Sequence, residues 1–521
     1  MAQINVNNLT FYYEGSFDTI FDQVSFSIDT NWKLGFVGRN GKGKTTFLNL
    51  LLGKYEYKGS ITAGTVFDYF PYSIKREYLD QPAIEFAEEL KGDVRQWRIL
   101  CELSLLGLEG DVLYRPFGTL SFGERMKILL AILFSGEHDF LLIDEPTNHL
   151  DQKSREIVKS YLAGKKGFIL VSHDRDFLDA CIDHVLVLNR HSIEVQAGNF
   201  SSWWENKSRK DAFALTENEK HRKEIAKLKD ASLRARRWAD KNEGTKIGYN
   251  PKKEPDRPTR AYIGAKTKKM ESRVKQMEIR ISKEIEEKEG LLADIESPAD
   301  LKIMPLKHYK QTLISAEHYG LFYKDGKEPL FQDLGFVINQ GERVFLNGDN
   351  GCGKSSLIKM ILHKTGGEEK PANLEEEGVM HLASGLILSY INQDTGFLHG
   401  SIKDFCRVRN LDESLFCAIL RQLDMDRSQF GKNLEDFSEG QKKKVLIGAS
   451  LLTPAHLYLW DEPLNYIDVF SRIQIEKLLL SFKPTMLIVE HDVMFQQQIA
   501  TKTIEFSAHS GIMNMSGMTS H

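Results

Sequence analysis

The sequence predicts an α/β fold built twice: two parallel-sheet domains of one kind in tandem, joined by an extended α-helical hairpin. Three observations predict it. A strand-like run, a glycine-rich loop and a helix-like run follow one another in the first third of the chain and again in the last third. Downstream of each loop, an apolar run ends in two adjacent acids. Between the copies lies a stretch rich in Lys, Glu, Ala and Arg, with long segments free of Pro and Gly. The 521 residues have room for two or three domains, and 41% apolar with 27% charged residues describes a globular chain. The expected boundaries are 1–202, 203–300 and 301–521.

The first loop reads Gly38-Arg39-Asn40-Gly41-Lys42-Gly43-Lys44-Thr45-Thr46, after the apolar run Leu34 to Val37. The second reads Gly348-Asp349-Asn350-Gly351-Cys352-Gly353-Lys354-Ser355-Ser356, after Val344 to Leu346. Strand, glycine loop and helix form the context that a phosphate-binding loop requires. Gly41, Gly43, Gly351 and Gly353 let backbone N–H groups turn around phosphate oxygens, and the helix N-terminus adds its positive end. Lys44 and Lys354 would neutralise the β- and γ-phosphates of ATP, with the hydroxyls of Thr45 and Ser355 on Mg²⁺. A glycine-rich turn before a lysine could explain one such passage. Two in register, each with downstream partners, point to nucleotide chemistry.

Those partners are two strands ending in acids, Phe140 to Glu145 and His456 to Glu462. Asp144 and Asp461 stand where a carboxylate would hold the metal, and Glu145 and Glu462 suit a general base for the attacking water. A further strand in each copy ends in a histidine, His173 and His491, placed to contact a γ-phosphate and hold that water in line.

The middle segment has helix-like parts at 205–240 and 259–296, with apolar residues at spacings of three and four: Ile225 and Leu228, then Val274, Met277, Ile281 and Ile285. Two antiparallel helices are expected, with a tip at about 242–258 shaped by Gly and Pro. From Lys220 to Lys283 there are 21 Lys and Arg against 8 Asp and Glu, a surplus of 13, which leaves the rest of the chain at −17. A basic middle between acidic flanks points to a polyanion. Aromatic residues stand among the cations: Arg236, Arg237, Trp238, Lys246, Tyr249, Lys252, Lys253, Arg257, Arg260 and Tyr262. Rings that stack on bases beside cations that hold phosphates are the pattern of RNA contact.

No run of about 18 apolar residues is present, so a membrane-spanning helix is not expected. The start, Met1 to Val6, lacks the basic and apolar parts of a signal peptide. Five scattered cysteines without a Cys-x-x-Cys pair argue for reduced thiols and a cytoplasmic setting.

Between loop and acids, Leu120-Ser121-Phe122-Gly123-Glu124 and Phe437-Ser438-Glu439-Gly440-Gln441 resemble the Leu-Ser-Gly-Gly-Glu/Gln signature of ABC ATPases. The resemblance implies that Ser121 and Gly123 serve the nucleotide on Lys354, and that Ser438 and Gly440 serve the one on Lys44. The two halves would thus pair within a monomer. Tyr13 and Tyr323 match the family's adenine-stacking position. The loop that supplies a metal-linked glutamine reads Tyr390-Ile391-Asn392-Gln393 in the second half and Tyr69-Phe70-Pro71-Tyr72 in the first, where tyrosine replaces it. The two sites are therefore expected to differ in rate.

Two such domains with a basic hairpin between them resemble the ABC-F family of ribosome-associated factors. Within that family, Asn31 to Gly35, Asp211 to Lys220 and Trp460 to Tyr466 resemble the Lsa-like antibiotic-resistance group. The resemblance implies an ATP hydrolase that binds the bacterial ribosome at its E site in the ATP-bound state. The hairpin would reach along the P-site tRNA toward 23S rRNA at the peptidyl-transferase centre. It would dislodge lincosamides, pleuromutilins and group A streptogramins, directly or by shifting rRNA, and hydrolysis would release the factor. A housekeeping factor gating elongation would carry the same ATP chemistry. The ATPase subunit of an ABC exporter would carry both sites but not the basic hairpin.

Overall fold

A computed structural model describes residues 3–13, 19–92, 94–136, 139–148, 150–189, 192–244, 305–324, 329–366, 371 and 373–506, with positions 272, 275, 276, 279–281 and 283. Among these, no helix is long and apolar enough to cross a membrane. The chain divides into two compact units, Met1–Trp203 with Ala299–His521, and Trp204–Pro298.

In the first unit each half carries two sheets. β1 (Gln3–Tyr12) pairs antiparallel with β2 (Thr19–Asp29) and β4 (Lys58–Ala63). The larger sheet runs β5 (Val66–Phe70), β6 (Asp139–Asp144), β7 (Phe168–Val171), β3 (Lys33–Gly38), β8 (His184–Leu188) and β9 (Ile193–Ala197), parallel up to β8 with β9 antiparallel. The second half repeats the plan. β10 (Thr312–Tyr323) lies between β11 (Pro329–Asn339) and β13 (Leu374–Leu382). A parallel sheet runs β14 (Leu388–Ile391), β15 (Leu457–Asp461), β16 (Met486–Val489), β12 (Arg343–Asn347) and β17 (Lys502–Glu505). β7, β15 and β16 are buried at every position, as strands covered on both faces must be.

Helices cover these sheets: α1 (Lys44–Leu51), α2 (Ala83–Leu90), α3 (Gln96–Leu105), α4 (Phe122–Phe134), α5 (Gln152–Ala163) and α6 (Arg175–Cys181) in the first half. After α7 (Phe200–Gly244) come α8 (Lys354–Lys364), α9 (Ile402–Val408), α10 (Glu413–Gln422), α11 (Glu439–Leu452), α12 (Val469–Phe482) and α13 (Val493–Ile499). Phe47 of α1 packs edge-on against Phe21 and Phe36 and tilted against Phe26, which fixes the helix that follows the first loop. In the second half, buried Trp460 donates from Nε1 to Ser450 Oγ at 3.0 Å, tying β15 to α11.

Parallel order decides where chemistry can occur. β6 and β7 lie in register with Asp144 opposite Val171, and β7 also borders β3, so the acid-bearing strand ends share one rim with the loop after β3. β15, β16 and β12 repeat this, with Asp461 opposite Val489.

α7 is 45 residues long, roughly 67 Å at 1.5 Å per residue. It starts at Phe200, ahead of the expected start at 205. Asn199 Oδ1 accepts from the Ser202 N–H at 3.0 Å and from its hydroxyl at 2.6 Å, an N-cap that the apolar pattern did not mark. Ile225 and Ile281 are buried, and Arg237 on α7 is exposed. Arg236 and Trp238 also lie on α7. Lys246, Tyr249, Lys252, Lys253, Arg257, Arg260 and Tyr262, and most of the expected second helix, lie outside the described residues.

Candidate functional site

In each half the chain leaves a buried strand, turns through the glycine loop and enters a helix at the lysine. Gly41 and Gly43 have φ of +76° and +107°, and Gly351 and Gly353 +83° and +98°. At Gly43 space matters too: a Cβ there would lie 2.5 Å from Ile20 Cγ2. Lys44 Nζ donates to Gly38 O at 2.6 Å and Asn40 Oδ1 at 3.1 Å; Lys354 Nζ donates to Gly348 O at 2.6 Å and Asp349 O at 2.9 Å. Both lysines are buried, lying back across their own loops. Burial lowers the Lys44 pKa, against the pull of Asp468, Glu145 and Asp144. Tyr13 OH and Thr46 Oγ1 are 2.8 Å apart, which steadies this half-exposed ring beside the first loop. Tyr323, Asn350, Ser355, Ser356 and Gln393 line a cavity of about 350 Å³ over the second loop, with Leu150 and Arg155 of the first half on its far wall.

Glu145 and Glu462 follow the strand ends with φ of +51° and +48°, a region that L side chains avoid. Their N–H groups bond Val171 O at 2.9 Å and Val489 O at 3.0 Å, so the sheet imposes the turn. Glu145 Oε1 is buried and lacks a hydrogen-bond partner, although His173 Nε2 stands 3.2 Å away; the pair is close but misaligned. An acceptor left open in a buried pocket is where a water would be taken up. His491 Nε2 lies 3.9 Å from Glu462 Oε1. Burial pushes the His173 pKa well down and that of His491 down to about 3, so both rings are neutral at pH 7.

Burial, reinforced by the neighbouring Asp144 charge, pushes the Glu145 carboxyl up to about 8 from an ordinary 4.5. Between these values the unfolded chain ionises while the folded one keeps its proton, so stability falls as pH rises toward 8. Glu145→Gln, which mimics the protonated form, should therefore raise the melting temperature of the nucleotide-free protein at pH 8–9. The gain should vanish near pH 4.5, below which both states are protonated. A gain independent of pH, read by scanning calorimetry, would contradict the shift.

Thr45 Oγ1 lies 3.3 Å from Asp144 Oδ2, and Ser355 bonds Asp461. A hydroxyl beside a carboxylate at the mouth of a phosphate loop supplies hard oxygen donors that would suit Mg²⁺. Gln393 Nε2 donates to Asp461 Oδ1 at 3.4 Å. In the first half Tyr72 stands at that glutamine's place in the repeat, but its OH donates to Asp68 Oδ2 at 2.6 Å. Tyr69, opposite Leu142 as Tyr390 is opposite Leu459, donates instead to Asp144 Oδ2 at 3.1 Å. Tyr69 thus reaches Asp144 in the first half.

Ser121 and Ser438 cap α4 and α11. Each hydroxyl oxygen accepts from the backbone of Glu124 or Gln441, whose side chain accepts in return from the serine N–H. The second signature meets the first loop: a Cβ on Gly440 would lie 3.0 Å from Asn40 Nδ2, which donates to Tyr466 O at 2.7 Å. Gly123 lies against Ser154 of its own half.

Sequence reasoning missed the charges around the two sites, some within a half and some between halves. Asp151, Asp174, Asp468 and Asp492 cap α5, α6, α12 and α13. Arg155 pairs with Asp174 at 3.5 Å and donates to His491 O at 3.3 Å. Arg472 pairs with Asp492 at 2.8 Å, Lys444 with Asp468 at 3.0 Å, and Arg175 with Glu476. The signal was the repeated spacing Asp-x-x-Ser-Arg, which marks both a helix cap and an arginine one turn on.

Comparison with known proteins agrees with this geometry. The ABC transporter family model matches residues 21–148 and 331–465. The ribosome protection protein VmlR of Bacillus subtilis (strain 168) is 26% identical over 95% of this chain and 85% of its own length. The ATP-binding protein Uup of Buchnera aphidicola subsp. Acyrthosiphon pisum is 27% identical over 96% and 80%. Among solved structures, a chain in the complex of an archaeal ribosomal stalk protein with an archaeal ribosome recycling factor has a TM-score of 0.61 at 18% identity, over 97% of this chain and 88% of that one. The RNase-L inhibitor has a TM-score of 0.60 at 17% identity, over 98% and 91%; both likenesses concern the fold. Two phosphate loops with their acids, matched by one family model in each half and by relatives spanning nearly the whole chain, establish that the protein is an ATP-hydrolysing member of the ABC transporter family, in its ABC-F branch.

Proposed function

We propose that this chain is a ribosome-associated ATPase of the Lsa-like resistance group. In its ATP-bound state it occupies the ribosomal E site, and its basic linker, residues 203–300, acts near the peptidyl-transferase centre on 23S rRNA and P-site tRNA. It thereby dislodges lincosamides, pleuromutilins and group A streptogramins, and hydrolysis releases it. One observation carries this reading: a segment with 21 Lys and Arg against 8 Asp and Glu stands in the sequence between the two ATPase halves. A relative named a ribosome protection protein, matched over 95% of this chain, supports it.

Within each site we assign the following roles. Lys44 and Lys354 take the β- and γ-phosphates, Tyr13 and Tyr323 stack on adenine, and Ser438 with Gly440 grips the nucleotide on Lys44. Ser121 with Gly123 serves the nucleotide on Lys354. Glu145 and Glu462 accept the proton of the attacking water, which the neutral rings of His173 and His491 help to position. Mg²⁺ would be held by Thr45 and Asp144 in one site and by Ser355, Asp461 and Gln393 in the other, and would neutralise charge on the β- and γ-oxygens.

The test is drug susceptibility of a sensitive bacterium expressing the chain, read beside ribosome cosedimentation. Replacing residues 246–258 with a short Gly-Ser turn should abolish protection against a lincosamide and a pleuromutilin while leaving ATP turnover near the parent's. Unchanged inhibitory concentrations for both drugs would make the tip a passive connector and favour a general elongation factor.

A further inference from the structure

The halves of the ATPase unit repeat one plan, yet the ion pairs that join them do not. Arg39, in the first phosphate loop, pairs with Asp424, and Lys42 in the same loop pairs with Asp426 at 2.7 Å. Asp424 and Asp426 lie between α10 and the Ser438 signature. Arg175, just after His173, forks onto Glu476 of α12, with Nη1 at 3.2 Å from Oε2 and both side chains buried. The Asp468 cap of α12 adjoins Tyr466, whose carbonyl accepts from Asn40. Two of the pairs thus lie in the Lys44 loop itself, and the third joins the helix after His173 to the helix that Asp468 caps.

The repeat shows what stands at the same places around the Lys354 loop. Arg39 and Lys42 give way to Asp349 and Cys352, and their partners Asp424 and Asp426 to Gly107 and Glu109. Arg175 and Glu476 give way to Val493 and Lys159, and Lys159 is turned to Glu156 and Asp176 of its own half at 2.5 and 2.7 Å. None of these three combinations can form an ion pair. At these three places residue identity thus makes the seam over the Lys44 loop charged and complementary, and its counterpart not.

We propose that the two ATP sites close unequally: Arg39, Lys42 and Arg175 are positioning residues that keep the seam over the Lys44 loop shut, so nucleotide exchanges chiefly through the Lys354 site. The inference rests on the ATPase assignment and not on any partner. Its assay contains no ribosome, so its failure is separate from failure of the drug-resistance reading.

The test uses the full-length Glu145→Gln, Glu462→Gln chain, loaded with a fluorescent ATP analogue and Mg²⁺ and chased with unlabelled ATP. Release should occur in two phases, with Lys44→Ala removing the slow one and Lys354→Ala the fast one. Arg39→Ala with Lys42→Ala, both partly exposed positions, should speed the slow phase about three- to tenfold, the scale of two surface pairs, and leave the fast phase unchanged. Raising the salt concentration should act in the same direction. Cys352→Lys, which sets a lysine opposite Glu109, should slow the fast phase. One release rate for both sites, a slow phase that disappears with Lys354→Ala, or equal acceleration of both phases by the Arg39 and Lys42 substitutions would overturn the proposal.

Discussion

Replacing Glu145 and Glu462 together by glutamine should lower ATP turnover by about 10²–10⁴-fold, the usual contribution of a positioned general base. The expectation follows from place as much as from residue type. Both glutamates sit at the shared strand rim with left-handed backbone imposed by bonds to Val171 O and Val489 O, and glutamine inherits that backbone unchanged. Side-chain length and hydrogen-bonding shape also persist, so ATP should still bind; what is lost is the ability to accept a proton. Phosphate release and retained nucleotide, measured on one preparation, separate these effects. Turnover at the parent rate would remove both residues from the chemistry, and loss of ATP binding would make them structural.

The largest expected loss of stability comes from Arg472→Ala. The guanidinium donates to Asp492 Oδ2 at 2.8 Å, to Leu464 O at 3.0 Å and to Ile467 O at 2.9 Å. Asp492 is fully buried, and Glu490 close by is buried too. Alanine would strand two carboxylates without their cation and free two carbonyls, a cost of about 3–5 kcal/mol. Arg155→Ala, at the matching place in the first half, should cost less, because Arg155 pairs more loosely with Asp174 at 3.5 Å. Urea unfolding followed by tryptophan fluorescence reads both. Equal midpoints for Arg472→Ala and the parent would show that the buried acids find other partners or take up protons.

What could be read without coordinates divides along physical lines. Phosphate loops, acid pairs and signatures were legible because each packs several obligatory residue types into a few consecutive positions. The tandem α/β plan followed from their repetition. Contacts set by packing were not legible: Tyr72 does stand at the glutamine's place in the repeat, yet Tyr69 is the ring that reaches Asp144. The ion pairs between halves were hidden for a related reason. Arg175 and Glu476 are far apart in the chain, and each reads as an ordinary charged residue on an amphipathic helix until the two are brought face to face. The start of α7 was misjudged because a single capping side chain, Asn199, outweighs the apolar pattern there.

The reciprocal caps at Ser121 and Ser438 have a consequence for how tightly an anion can be gripped. Each serine oxygen already accepts a backbone N–H at the head of a helix, so its rotamer is chosen when the protein folds. A hydroxyl fixed as an acceptor still has its own proton to give. A phosphate arriving there would meet a donor whose torsional freedom was spent beforehand, and ordering that side chain would add no entropy cost to the binding step. Alanine at either serine would thus combine two losses, a frayed helix start and a missing donor. Threonine would keep both groups and change only the bulk beside them.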